Sequence, residues 1–166
     1  MLLDELMPTF DVVERHARAI AAPPEQLYGV LRALDFGESP IIRALWMLRS
    51  LGRERTMTWE ALFRLGFVVV ADDPPRELVL GLIARPWRLD GGIQRVTAGE
   101  WRAFAADGFA KIGWSFSIAP GALATETRVR CIDDASRRRF AWYWRAIGPF
   151  SAWIRREALR LVARRC

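Results

Sequence analysis

The C-terminal residues 133–166 form the longest periodic segment of the chain, and they constrain the fold more than any other part. Large apolar side chains recur here at steps of three, four or seven residues, which predicts one amphipathic helix that begins at Asp133 or Asp134. Gly148 and Pro149 interrupt it, and because proline removes an internal hydrogen bond we expect a kink rather than a second domain. The apolar stripe contains Phe140, Tyr143, Trp144, Ile147, Phe150, Ile154 and Leu161.

The residues between Gly66 and this helix change from helical to extended periodicity. Residues 67–71 are a dense β-branched run, and residues 77–84 follow after a turn. Residues 110–118 alternate apolar and polar side chains, and residues 124–132 supply the last strand. The pattern predicts antiparallel strands with one buried face and one wet face.

The part of the chain before Gly66 combines one strand with short helices. Residues 12–22 have the composition of a strand. Apolar residues recur at helical spacing in residues 24–34 and 39–51, and each of these segments has a proline at its start. Residues 58–65 predict a third short helix, capped by a threonine. Later in the chain, residues 87–96 contain the pattern of a short strand, a tight turn and a second short strand.

The resulting order of elements is strand, two or three helices, antiparallel strands and one long helix. An antiparallel sheet must cover its inner face, and the long helix has enough apolar surface to do so. We therefore predict an α+β chain with one domain over residues 1–166 and a helix-grip fold. In that fold a curved antiparallel sheet wraps around the long C-terminal helix and leaves a cavity between the two.

Composition and charge exclude several classes of protein. The chain has 166 residues and is 52% hydrophobic, with no apolar run near the roughly 20 residues of a membrane span. Asp4 and Glu5 stand where a signal peptide would be positive, so we expect a cytoplasmic protein. Cys131 and Cys166 lack metal-type spacing, and with a single histidine the sequence predicts no metal site and no cofactor.

The positive net charge of +6 raises nucleic acid and anionic membranes as partners. All basic residues except Lys111 are arginine, which together with the many Ala and Gly residues is typical of the codon bias of a GC-rich genome. We therefore expect an ordinary, well-solvated basic surface. No motif of a nucleic-acid-binding fold is present. We therefore expect no nucleic-acid partner. Weak contact with an anionic membrane stays open, since Trp142 and Trp153 lie off the apolar stripe near arginines. The side of the helix opposite the stripe carries Arg138, Arg145, Arg155, Arg156 and Arg164.

Three segments of the chain resemble a known superfamily. Residues 18–28, with an alanine-proline-proline-glutamate turn, resemble the opening strand and helix of the START-related SRPBCC superfamily, which includes lipid-transfer domains, polyketide cyclases and relatives of the birch-pollen allergen. Residues 125–129 and 139–149 resemble a bacterial branch of it. The resemblance covers nearly the whole chain and implies a helix-grip fold with a deep, mostly apolar cavity. It does not imply an activity, because this scaffold hosts binding, transport and catalysis, and it implies no catalytic residue, because no shared catalytic motif carries over.

Apolar residues on the predicted inner faces are the candidate ligand-binding residues. We expect a small hydrophobic molecule, such as a lipid, a fatty acid or a polyketide-like compound, to lie among them. Plain core packing explains Trp114 and Trp144 equally well. The predicted lining residues are Leu80, Leu82, Trp114, Phe116, Phe140, Trp144 and Ile147.

An enzyme of the cyclase or dehydratase type is the alternative, and it needs an acid or a base inside the cavity. His16 is the only histidine, and strand parity places it beside Glu14 and Arg18. That neighbourhood favours a surface or structural histidine. The sequence therefore names no catalytic residue, and it does not determine the oligomeric state.

Overall fold

One antiparallel sheet organises the chain. The computed structural model describes the backbone of residues 1–49 and 58–166 and the side chains of residues 1–44 and 58–166. In these residues the sheet has five strands in the order β1-β5-β4-β3-β2, so the first strand of the chain lies beside the last. Every neighbouring pair is antiparallel. The strands are β1 Val12–Ala19, β2 Val68–Asp73, β3 Glu77–Ala84, β4 Ala110–Ala119 and β5 Ala122–Cys131.

Helices lie before, between and after the strands. The N-terminal helix α1 precedes β1, and α5 separates β3 from β4. Between β1 and β2 the described residues form four short helical segments, and the long helix α6 follows β5. This arrangement confirms the α+β prediction and is consistent with a helix-grip fold. The helices are α1 Leu2–Leu6, α2 Pro24–Arg32, the 3-10 helix η1 Phe36–Glu38, α3 Pro40–Arg49, α4 Trp59–Arg64, α5 Ala98–Ala103 and α6 Asp134–Arg165.

Local signals in the sequence explain where several helices begin. Thr58 accepts a hydrogen bond from the backbone N–H of Ala61, and Asp133 caps α6 by accepting from the N–H of Ser136 at 2.9 Å. Helix α6 continues through Pro149 without a break, so the proline does not end it. The predicted end of the second helix at residue 51 lies outside the described residues.

The sequence patterns missed two helices and predicted two short strands that do not form. The helices are α1 and α5, and a capping box between Thr97 and Glu100 starts α5. Residues 87–89 lie in a turn, and residues 93–96 make only an isolated bridge between Ile83 and Gln94. The reason is the preceding loop, which turns back so that the N–H of Arg85 donates to the carbonyl of Gly91.

The outer face of the sheet, which the alternation predicted to be wet, is covered. Gly81 and Gly113 are direct cross-strand partners, and their missing side chains leave a depression. Leu3 of α1 and Trp101 of α5 fill this depression. A Cβ on Gly113 would lie within 2.9 Å of Leu3, and a Cβ on Gly81 would lie within 2.9 Å of Trp101. These two residues belong to an outer cluster together with Met7, Val70, Val79, Ile83 and Phe109.

Charged residues under α1 are buried because they are paired. Arg128 donates to Glu126 at 2.5 Å and to the carbonyl of Met7 at 2.8 Å. Glu77 accepts from the N–H groups that open α1. The polar residues of the alternating strands therefore contact protein on this face rather than water.

Candidate functional site

Five of the seven predicted lining residues belong to two apolar clusters on the inner face. Leu80, Trp114 and Phe116 are buried in one of them, where the Trp114 and Phe116 ring centroids lie 4.9 Å apart. This inner cluster joins the sheet to α2, η1, α4 and the last turns of α6. Its fully buried members include Leu27, Leu31, Phe36, Leu62, Leu78, Leu123 and Val162.

The second cluster lies near the start of α6 and contains the remaining aromatic pair. Phe140 packs with Ala110 and Val129, and Trp144 stacks on it at 5.5 Å between ring centroids. We call this set the end cluster; Cys131 is its other buried member. Ile147 is half-buried and Leu82 is buried, but neither belongs to the clusters above.

Between these clusters lies a part of α6 that is incompletely covered by the described residues. No side chain from residue 141 to residue 156 is fully buried, whereas Phe140 before them and Leu159 after them are. We call residues 141–156 the central stretch. Its apolar members include Ile147, half-buried, and Phe150, exposed. The helix therefore has well-packed ends and a loosely covered middle.

Polar groups meet at the end of the central stretch. Arg155 of α6 donates to the hydroxyl of Thr127 on β5 at 2.8 Å, and its guanidinium lies 4.1 Å from the centre of the Trp114 ring. Thr127 pairs with Glu14 in the sheet register, so β1 contributes to the same site. These contacts place a cation at the junction of β1, β5 and α6.

The Arg155 guanidinium has no carboxylate within ion-pair distance among the described residues. Although the residue as a whole keeps partial exposure, its guanidinium is packed so deeply that burial lowers the pKa of Arg155 to about 10, with the charge of Glu14 opposing the shift. The group still carries its positive charge at neutral pH. A guanidinium has five N–H donors, and one of them is satisfied by Thr127.

Glu14 and His16 form the second half of this polar site. His16 Nε2 lies 2.8 Å from one carboxylate oxygen of Glu14, and Arg156 donates to His16 Nδ1 at 3.4 Å. Since Nδ1 accepts, Nε2 carries the proton that is donated to Glu14. The other carboxylate oxygen of Glu14 is buried and has no hydrogen-bond partner in the described residues. The histidine is thus half-buried and paired, and it faces α6.

The prediction that Arg155 lies on the side of α6 opposite the apolar stripe is wrong. Arg155 stands three residues before Ala158 and seven before Val162, and both of those are buried. That helical spacing places Arg155 on the packed face and was the available signal. The contact with Trp114 had no signal in the sequence, because it joins residues far apart in the chain.

Two pockets are lined by described residues, and both lie away from this polar site. One, of about 480 Å³, lies beside the start of α1 near Glu77 and Ser117. The other, of about 360 Å³, lies where β3 ends and α6 begins, and includes Arg85 and Arg139. Among the described residues, no three His, Cys, Asp or Glu side chains are grouped to hold a metal ion. No helix in the described ranges combines the length and apolar character that crossing a membrane requires.

Comparison of the chain with protein-family models, with curated proteins and with solved structures finds no match. The class of protein is therefore defined by the α+β architecture alone. The resemblance to START-related proteins stays a prediction, and the function must be argued from the geometry of the site.

Proposed function

We propose that this protein has a helix-grip fold and binds a small hydrophobic molecule with an acidic group between the sheet and the central stretch of α6. The observation that carries the proposal is the Arg155 guanidinium, which lies against Trp114 inside the sheet–helix interface without a carboxylate partner among the described residues. A buried charge that lacks a partner is costly, and a bound anion offsets that cost.

The apolar part of the ligand lies along the loosely covered side chains of α6. Trp144, Ile147 and Phe150 all retain exposure, unlike the apolar residues Phe140 and Leu159 on either side of the central stretch. Covering apolar surface contributes roughly 25 cal/mol per Å² removed from water. An alkyl chain or a fused ring system placed here gains that contribution.

The acidic group of the ligand binds Arg155. A carboxylate accepts two parallel hydrogen bonds from a guanidinium, and the bonds are stronger where water is excluded. The Trp114 ring under the guanidinium restricts its orientation, so less conformational entropy is lost when the ligand binds. A fatty acid or an acidic polyketide-like compound combines both required parts.

The test is a titration of the protein with a long-chain fatty acid and, separately, with its methyl ester. Binding is measured by isothermal titration calorimetry. We expect Arg155→Met to weaken binding of the acid at least about tenfold, which corresponds to about 1.4 kcal/mol, while binding of the ester changes little. Arg145→Met is the matched control, because it removes the same charge from an exposed position of the same helix.

Two results would overturn the proposal. The first is a wild-type protein that binds neither the acid nor the ester. The second is an equal loss of fatty-acid affinity in both variants, which would show a general effect of positive charge. Native mass spectrometry of protein purified from its own host supplies the identity of the ligand.

The second candidate function is catalysis on such a molecule, of the cyclase or dehydratase type. The specific observation in its favour is the partnerless carboxylate oxygen of Glu14 in the same polar site, next to the proton that His16 holds. Such a pair can accept and return a proton. Glu14→Gln separates the two functions, since it abolishes turnover of a substrate and leaves fatty-acid binding in place.

Contact with an anionic membrane surface is a third proposal. Its support is the exposure of Trp142 and Trp153 on the basic helix. Binding to anionic vesicles that weakens steeply with salt is the expected signature.

A further inference from the structure

The pocket of about 360 Å³ at the start of α6 is lined by three arginines. Arg85 follows β3, Arg88 lies in the loop after it, and Arg139 comes from the second turn of α6. Trp87 and Gly108 complete the wall. We call this site the arginine pocket. Arg139 and Arg155 are separated by about 24 Å along the helix axis, at 1.5 Å per residue, so the pocket is distinct from the site of the proposed function.

The side chain of Arg85 packs closely against the backbone of two glycines. A Cβ on Gly92 would lie 2.8 Å from the Arg85 Cβ, and a Cβ on Gly108 would lie 3.3 Å from Arg85 Nη2. Both glycines have positive φ, which favours glycine there as well. The Arg85 guanidinium also lies 4.0 Å from the centre of the Phe109 ring. Its position is therefore set before any ligand arrives.

Two of the three arginines of the arginine pocket have no carboxylate partner among the described residues. Arg85 Nε is buried and has no hydrogen-bond partner there, and Arg139 is exposed and makes no ion pair to a described carboxylate. Arg88 is paired with Asp90 through two hydrogen bonds of 2.9 Å. The nearby carboxylate of Asp133 is occupied by the cap of α6 and by an N–H of the loop before β4. The pocket therefore keeps an excess of positive charge.

We propose that the arginine pocket binds a phosphate ester. Three arginines line this one pocket, and arginine suits a phosphate group, which carries more negative charge and more acceptor oxygens than a carboxylate. The volume exceeds that of a bare phosphate, and Trp87 offers an apolar wall for the esterified part. A soluble organic phosphate and a lipid headgroup present this same chemistry.

Two exposed apolar side chains lie near pocket residues in the sequence. They would distinguish a lipid headgroup from a soluble organic phosphate as the ligand. Leu89, which follows Arg88, is 95% exposed, and Trp142, one helical turn after Arg139, is 73% exposed. Both would contact acyl chains if the phosphate belonged to a lipid in a bilayer.

The experiment compares two neighbouring arginines of α6. Arg139→Gln removes the charge of a lining residue. Arg138→Gln removes the same charge from the preceding position, which is also exposed but does not line the pocket. The probes are glycerol 3-phosphate, measured by calorimetry, and phosphatidylcholine vesicles with or without phosphatidic acid, measured by sedimentation. We expect Arg139→Gln to weaken binding at least about fivefold and Arg138→Gln less than about twofold.

Saturable binding of glycerol 3-phosphate identifies a soluble ligand, whereas binding only to vesicles with phosphatidic acid identifies a lipid headgroup. Either result, with the stated difference between the variants, supports the proposal. No binding of any probe by the wild-type protein, or an equal loss in both variants, overturns it. Fatty-acid binding at Arg155 is expected to be unchanged in Arg139→Gln, so the two proposals fail independently.

Discussion

Replacement of Arg128 by methionine is expected to destabilise the protein by about 3 kcal/mol. Arg128 is 2% exposed, and its hydrogen bonds connect the N-terminal helix to the outer face of the sheet. Its guanidinium donates to the carbonyls of Met7 and Leu3 at 2.8 and 3.3 Å, to the carboxylate of Glu126 at 2.5 Å, and to Asp4. Methionine keeps most of the volume and none of these bonds.

The magnitude follows from what the substitution leaves behind. Breaking a buried ion pair costs about 3–5 kcal/mol, because the remaining charge is buried without its partner. Glu126 retains Arg15, which donates to it at 2.6 and 3.1 Å, so the lower end of the range applies. For a chain of this size each kcal/mol lowers the Tm by roughly 2–4 °C, which gives a fall of roughly 6–12 °C.

Thermal unfolding followed by circular dichroism measures this loss, with Arg15→Met as the matched control. Arg15 pairs with the same carboxylate, but its side chain is 60% exposed, so its removal should cost less than about 1 kcal/mol. Hydrogen exchange should also show faster exchange of the amides of α1 in Arg128→Met alone. The reasoning fails if the two variants lose equal stability, or if Arg128→Met stays within about 0.5 kcal/mol of the wild type.

Two further predictions concern titrating groups. Burial raises the pKa of Cys131 to about 12, so a thiol reagent at pH 8 should modify the exposed Cys166 in the folded protein and both cysteines after unfolding, and two reactive thiols in the native state would contradict the structure. Hydrogen bonds from the Ser136 hydroxyl and from backbone N–H groups hold the pKa of Asp133 well below its usual range. Its stabilisation is therefore present above about pH 4 and is lost as the pH falls through the lowered pKa. Asp133→Ala should flatten the acid side of a plot of Tm against pH, and an unchanged slope would refute this role.

Local chemistry made the order and type of most elements predictable. Thr58 and Asp133 cap their helices by accepting hydrogen bonds from the backbone N–H three residues ahead, so the sequence alone indicates where those helices begin. The alternation over residues 110–118 corresponds to β4, Ala110–Ala119, because strand periodicity depends only on the geometry of the backbone. The long apolar stripe of residues 133–166 likewise predicted α6.

The candidate site was predictable only in its apolar part. Trp114 and Phe116 lie on the inner face as their parity indicated, but they are packed in the inner cluster, and Phe140 and Trp144 lie in a different one. The predicted place of Arg155 opposite the apolar stripe is wrong, because its helical spacing to the buried Ala158 and Val162 puts it on the packed face.

By itself the sequence determined the α+β class, the helix starts and the long C-terminal helix, because these follow from interactions within a few residues. Only the tertiary structure decided that the outer face of the sheet is covered and that Arg155 meets Trp114. The first depends on the direct pairing of Gly81 with Gly113, which is a matter of strand register. The second depends on how α6 lies across β4 and β5. Both bring together groups that are distant in the chain, and no periodicity within one element records them.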